Sequence, residues 1–391
     1  MDKKTNVLFV EYCSDLKAGG AQRVFLNILK SLNNKKYNIF AAFPESMDGG
    51  LVNEVPEHVS QLLYDSKSPD GTHNKFCAYF IFLIFMPVIV FRWCYILKRK
   101  KIKVVYVHSI ISGFHFSLVK CLIDFKLIYH EHNMASQRPN AFFWRWLFDF
   151  VAFKSDKIIA ISKDVASSLI DFGAQKGKVS IIHNGIELIV RQNDESLRAK
   201  GFHRLGIEQA DESLLVGMIG HFRPWKGQQI FIESLQTVLD DHQAIHYVLI
   251  GGVQDEGYYL EALEYINKNN LSDRITITGY QDNIPELMSC LDIVVVPSVP
   301  EPFGLVLLEA MMMSKPIVAF NLGGPAEIIV HQETGILVDD IDAGALGNAI
   351  SQLIASQEIR GQLGINGRRR LEEKFTNNMQ CQKIERLIDG F

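Results

Sequence analysis

The stretch DIVVVPSVPEPFGLVLLEA, residues 292–310, reads as a strand, a turn and a helix in immediate succession. Its opening run, 292–298, is apolar without alternation, the pattern of a strand covered on both faces of a parallel sheet. Proline and glycine punctuate the turn, and a helix is expected to start near Gly304. Two glutamates flank that turn, Glu301 before the helix and Glu309 inside it. The helix dipole accounts for one carboxylate near a helix N-terminus. It does not account for both, nor for the glycine between them.

Working outward, short apolar runs alternate with helical patterns from end to end. In the first half the runs are 6–12, 38–43, 103–109, 126–130, 157–162 and 178–185. A polar segment around 186–213, containing VRQNDESLRAKGF, interrupts the pattern and reads as a linker. A second series follows at 213–222, 246–252, 274–280, 292–298, 316–320 and 335–338. Between the runs, stretches such as AQRVFLNILKSL (21–32) repeat at helical spacing, with Ala21, Val24, Phe25, Ile28, Leu29 and Leu32 on one face. The fold class is therefore α/β, with two Rossmann-like doubly wound domains. Ligands of such sheets bind at the carboxyl ends of the strands, where the turns lie.

The 391 residues are 48% hydrophobic and 21% charged, enough for two or three domains with sizeable cores. A net charge of -4 provides no basic field for nucleic acid, so no nucleic-acid partner is expected. Six scattered cysteines form no CxxC pair, which suits a reduced compartment, and the first apolar run is too short for a signal-peptide core. A cytoplasmic protein is expected. The segment FCAYFIFLIFMPVIVFRWCYIL (76–97), followed by KRKK, approaches the ~20 residues that span a bilayer. Arg92 and Pro87 interrupt it, and one crossing would part the runs 6–12 and 103–109, both expected in one sheet. A transmembrane span is rejected on that ground. With NAFFWRWLFDFVAF (140–153), the segment reads as core helix in part. Its surplus of Phe and Trp among Arg and Lys also suits helices lying in a membrane interface.

Four strand ends carry the chemistry. Gly19-Gly20 stands before the first helix, where glycine lets backbone approach a ligand and the helix end favours an anion. It is not a GxGxxG, so a dehydrogenase loses its main support. In MIGHFRPWKGQQIFIESL (218–235), Arg223 and Lys226 occupy a strand-to-helix turn and make a diphosphate seat, against the plainer reading of a solvated basic turn. In the opening stretch the amides of Phe303, Gly304 and Leu305 would point at a phosphate, while Glu301 and Glu309 accept hydrogen bonds from hydroxyls. The ligand this describes is a nucleotide-sugar. In KLIYHEHNMASQRP (126–139), His130, Glu131 and His132 invite a metal reading, but no third ligand shows suitable spacing. Asp340 and Asp342 in DDID have the spacing of a metal-binding DxD but fall in a solvated turn, and no metal site is assigned there.

These residues together resemble the retaining glycosyltransferases of family 4, strongest over 279–338, where Glu301 and Glu309 form the E-x7-E signature. The resemblance implies the GT-B fold, two Rossmann-like domains facing across a cleft. It places an N-terminal acceptor-binding domain at 1–190, with a C-terminal helix at 375–391 packing back on it, and a donor-binding domain at 205–374. Glu301 would contact the donor sugar, Glu309 the ribose, and Lys226 with an arginine the diphosphate. Backbone near Tyr280 would receive the base, and Gly19-Gly20 would face acceptor and phosphates. His132, with His130 in reserve, would touch the transferring sugar. His221 replaces the arginine common at that position, so Arg223 must supply the guanidinium.

The implied reaction is sugar transfer with retained configuration from a UDP- or GDP-sugar, with no further cofactor and no metal. The implied acceptor is a glycan or lipid-linked hydroxyl at the cytoplasmic face of the inner membrane, in O-antigen, capsule or exopolysaccharide assembly. A nucleotide-sugar epimerase or hydrolase on the same fold, and a membrane-attached scaffold with an inactive nucleotide site, are the rival readings.

Overall fold

The computed structural model describes residues 4–12, 19–44, 50–64, 75–135, 142–188, 194–207 and 213–391. The chain divides into two units, Met1–Gly185 with Asn377–Phe391, and Ile186–Thr376.

The first unit opens with β1 (Thr5–Val10), α1 (Gly20–Ser31), β2 (Tyr37–Pro44), the short α2 (Gly50–Asn53) and β3 (Ser60–Tyr64). A long helix, α3 (Lys75–Lys100), leads to β4 (Val104–Val107), α4 (Ile110–Lys120), β5 (Lys126–Glu131) and α5 (Phe142–Lys154). It continues through β6 (Lys157–Ala160), α6 (Lys163–Asp171) and β7 (Val179–Ile181). Every pairing in its sheet, ordered β3-β2-β1-β4-β5-β6-β7, is parallel. Val7, Leu8 and Phe9 of β1 and Val105, Tyr106 and Val107 of β4 are fully buried, which is why neither strand alternates.

β3 adds to the expected series. It is a short edge strand in which Ser60, Gln61 and Leu63 are exposed, so it lacks the two-sided apolar run that marks its neighbours. α3 thus lies between β3 and β4, two strands of one sheet, and a single bilayer crossing there would divide the sheet. Among the described residues no helix is long and apolar enough to cross a membrane. α3 buries Met86, Val90, Trp93 and Leu97, with Trp93 packed 4.9 Å from Phe116 of α4. Phe114 of α4 meets Trp146 of α5 at 5.7 Å. The connections through α3, α4 and α5 all step in one direction along the sheet, so right-handed crossovers place the three on one face.

The second unit contains α7 (Asp194–Leu205), β8 (Leu214–Ile219), α8 (Gln228–Asp241), β9 (Ile245–Ile250) and α9 (Glu256–Lys268). Next come β10 (Ile275–Ile277), α10 (Ile284–Cys290), β11 (Ile293–Val296), α11 (Leu305–Met312), β12 (Ile317–Phe320) and α12 (Gly324–Ile328). β13 (Ile336–Val338), α13 (Ala343–Ile354) and α14 (Gln357–Lys374) complete it. Its parallel sheet has the order β10-β9-β8-β11-β12-β13. The final helix, α15 (Asn377–Asp389), belongs to the first unit, where Asn377 Nδ2 donates to Asn27 O at 2.7 Å and Tyr37 Oη to Asp389 Oδ1 at 2.6 Å.

The expected linker is corrected in part. Its polar residues form α7, which packs on α10 through Gly201, set so close that a Cβ would lie 2.3 Å from Glu286 O. Arg204 Nε pairs with Glu286 Oε2 at 2.6 Å. The helix reads as polar because most of its residues are exposed, while Gly201, Phe202 and Leu205 are the ones buried among those described. Asp342 caps α13 by accepting from Ala345 N at 2.8 Å, which explains that acid without a metal.

Candidate active site

In the second unit three strand ends converge through backbone contacts. After β8 the chain passes Gly220, His221 and a 3-10 turn, Pro224–Lys226, before Gly227 opens α8. Gly227 has φ 80°, and a Cβ there would lie 2.0 Å from Pro297 O, so only glycine allows this turn to seat on the end of β11. Val299 N donates to Trp225 O at 2.7 Å, a second stitch between the same two turns. From the β12 side, Gly324 N donates to Glu301 O at 2.8 Å, and a Cβ on Gly324 would lie 2.1 Å from Phe303 O.

This scaffold brings Lys226 and Glu301 together: Nζ to Oε2 is 2.7 Å, with the side chains 20% and 8% exposed. The same ammonium lies 4.2 Å from the Trp225 ring centroid. Gly304 caps α11 with φ 94°, where a Cβ would stand 3.2 Å from Glu301 Cγ, so the turn folds Glu301 back over the helix start. Leu305 begins that helix, Phe303 is buried beneath it, and Glu309 lies half-buried one turn on. Arg223 starts the β8 turn but is exposed, and among the described residues its guanidinium has no carboxylate partner.

His221 and Tyr280 stack with centroids 6.2 Å apart and planes 12° from parallel. Gly252 lies against both, because a Cβ there would be 3.2 Å from His221 Nδ1 and 3.4 Å from Tyr280 Cβ. Nδ1 of His221 is buried and has no hydrogen-bond partner among the described residues. This half-open aromatic shelf stands beside the Gly220 turn, whose carbonyl neighbour at His221 accepts from Gln228 Nε2 at 2.8 Å. A planar ring could stack there.

In the first unit Gly19 caps α1 and Gly20 is its first residue; residues 13–18, ahead of them, lie outside the described residues. At the ends of β4 and β5 three buried histidines meet. His108 Nδ1 and His132 Nε2 are 2.8 Å apart, and His130 Nδ1 is 2.9 Å from Tyr106 Oη. The expectation of no suitably spaced third ligand is corrected: His108 joins His130 and His132, with one ring nitrogen of each within 4.8 Å of the others. Spacing along the chain could not show this, because the contact is across strands. Val107 pairs with Tyr129, so His108 lies beside His130, while His130 and His132 share a face by the two-residue repeat. Glu131 takes the other side, its carboxylate accepting from Tyr129 Oη and from the amides of His132 and Asn133.

Burial holds all three imidazoles neutral. His108 and His130 titrate well below the ordinary histidine range because they are desolvated, and His132 adds to the effect. For His132 desolvation pushes the pKa down to about 4, with Glu131 pulling weakly the other way.

Two family models match the chain, one described as Glycosyltransferase Family 4 over residues 18–189 and one as Glycosyl transferases group 1 over 202–370. The chain is 31% identical over 234 residues to the uncharacterized glycosyltransferase MJ1178 of Methanocaldococcus jannaschii, a match covering 59% of each. It is 25% identical over 256 residues to the capsular polysaccharide biosynthesis glycosyltransferase CapM of Staphylococcus aureus, covering 64% of this chain and 66% of that one. The chain thus spans just under two thirds of these relatives or less. Among solved structures, Anabaena Alr3699/HepE in complex with UDP and glucose has a TM-score of 0.80 at 22% identity, covering 98% of this chain and 99% of that one. With its two units matched in turn by these two models, the chain belongs to the family 4 glycosyltransferases and has their GT-B fold of two Rossmann-like domains.

Proposed function

We propose that the protein moves a sugar from a nucleotide-diphosphate sugar to a hydroxyl of a glycan or lipid-linked acceptor, with retention at the anomeric carbon, in cell-surface polysaccharide assembly. The Lys226–Glu301 pair carries this reading. One cation and one carboxylate at 2.7 Å, at the carboxyl ends of adjacent strands, suit a ligand that offers phosphate to the cation and hydroxyls to the acid. The His221–Tyr280 shelf supports a base, and Glu309 is the acid left for the ribose. The named role of CapM in capsule biosynthesis supports the pathway, and the UDP and glucose bound by HepE favour a UDP-sugar.

Catalysis in this reading is electrostatic. Lys226, with Arg223, offsets the charge that develops on the departing diphosphate without a metal, and the leaving phosphate takes the acceptor proton during attack from the same face. His132 orients the transferring sugar. Titration calorimetry with UDP and GDP, in EDTA, tests the donor site on the wild type and Glu309→Ala. One nucleotide should bind saturably, and the substitution should weaken it about 10-fold or more, the worth of a charge-assisted hydrogen bond. Binding of neither nucleotide would remove the donor site and favour the scaffold reading.

The acceptor reading draws support from α3 and α5. Val88, Phe91 and Tyr95 form an exposed stripe on α3 that ends in Lys98, Arg99 and Lys100, and Phe142, Trp146 and Phe153 are exposed on α5. An apolar stripe with a basic end suits the surface of an anionic bilayer. Sedimentation with phosphatidylglycerol vesicles should retain the wild type, and Phe91→Ser with Trp146→Ser should weaken binding about 10-fold or more. Equal binding to neutral vesicles, or no effect of the pair, would rule the surface out.

A further inference from the structure

We propose that His108, His130 and His132 form a binding site for a divalent transition metal of the zinc class; the site shares His132 with the sugar contact proposed above, so a bound ion displaces that contact, while metal binding itself does not depend on that reading. Three observations converge on it. One ring nitrogen from each histidine lies within 4.8 Å of the others, and the backbone fixes that grouping through the β4–β5 register. Nε2 of His130 is buried with no hydrogen-bond partner among the described residues, and a buried polar atom is so rarely left in that state that a missing ligand is the natural explanation. The third is an outer partner: His130 Nδ1 is held by Tyr106 Oη at 2.9 Å, leaving Nε2 to ligate, as metal-bound histidines are usually oriented through their other nitrogen.

The donor set selects the ion. Three neutral imidazoles suit zinc, copper, nickel or cobalt, whereas magnesium and calcium require oxygen ligands. Glu131 does not supply them, since its carboxylate is engaged by Tyr129 Oη and by two backbone amides. The site needs little rearrangement. His108 Nδ1 and His132 Nε2, now 2.8 Å apart, share one proton, and an ion replacing it with metal–nitrogen bonds of 2.0–2.1 Å would separate ligating nitrogens to about 3.3 Å. Opening of about half an ångström is within reach of a small side-chain rotation.

The test uses the full chain, stripped with a chelator, exchanged out of it and titrated with cobalt(II) chloride. One equivalent should bind and develop the visible absorption of a low-coordinate nitrogen-ligated ion, with a rise in melting temperature. His108→Gln and His130→Gln should each weaken binding at least about 100-fold, while His58→Gln, at an exposed histidine, should leave it unchanged. X-ray absorption on the cobalt-loaded wild type should show an imidazole shell, a readout that does not depend on any variant folding. Failure to bind cobalt stoichiometrically, binding that survives both substitutions, or a shell of oxygen alone would overturn the site.

Discussion

Lys226→Ala is expected to slow sugar transfer about 10²–10³-fold at saturating donor, the loss of ~2.7–4 kcal/mol that follows removal of one preorganised group facing developing negative charge. Part of the effect is structural. Without the ammonium 2.7 Å away, the Glu301 carboxylate is left largely buried and unpaired. A dry pair would lose about 3–5 kcal/mol, but the lysine is one-fifth exposed, so screening reduces the cost to roughly 1–3 kcal/mol of stability. A double-mutant cycle separates the two. If Lys226 serves the diphosphate and Glu301 the sugar, Lys226→Ala with Glu301→Gln should fall well below either single variant in kcat. A double variant no slower than Glu301→Gln would mean that the lysine does nothing but hold the glutamate in place.

Gly227→Ala is expected to lose about 3–5 kcal/mol of stability, among the largest effects of any single substitution in the second unit. Two costs add. The left-handed backbone, φ 80°, penalises a side chain by roughly 1–2 kcal/mol. The new methyl would also lie 2.0 Å from Pro297 O, a backbone atom that cannot swing aside, so the β8 and β11 turns must part. Gly206→Ala isolates the first cost, because Gly206 has φ 67° and nothing within 4 Å of a Cβ. Denaturant unfolding of both variants should show a small loss at Gly206 and a severalfold greater one at Gly227. Equal losses would mean that strain alone matters and that the two turns are not locked together. Nucleotide binding should fall with Gly227→Ala even in the folded fraction, since parting the turns separates Lys226 from Glu301.

Much of the fold was legible in the chain. The strands of the second unit lie where the apolar runs placed them, within three residues at each end, because their apolar runs are short and bounded by turn residues. Glu301 and Glu309 do stand where a buried strand meets a helix, and Gly304 does open that helix, as the local pattern predicted. Where burial was one-sided or absent, the signal failed. β3 is an exposed edge, and α7 is a polar helix that buries little beyond Gly201, Phe202 and Leu205.

The sequence by itself determined an α/β chain with two doubly wound sheets, since these rest on local periodicity, and it pointed to the family by resemblance over 279–338. Only the tertiary structure decided that Lys226 reaches Glu301 across 75 residues, that Gly324 clasps the Glu301 loop from a third strand, and that His108 completes a cluster with His130 and His132. These contacts depend on which parallel strands are neighbours and in what register. Crossover connections leave that choice to the packing of the whole sheet, so no local pattern encodes it.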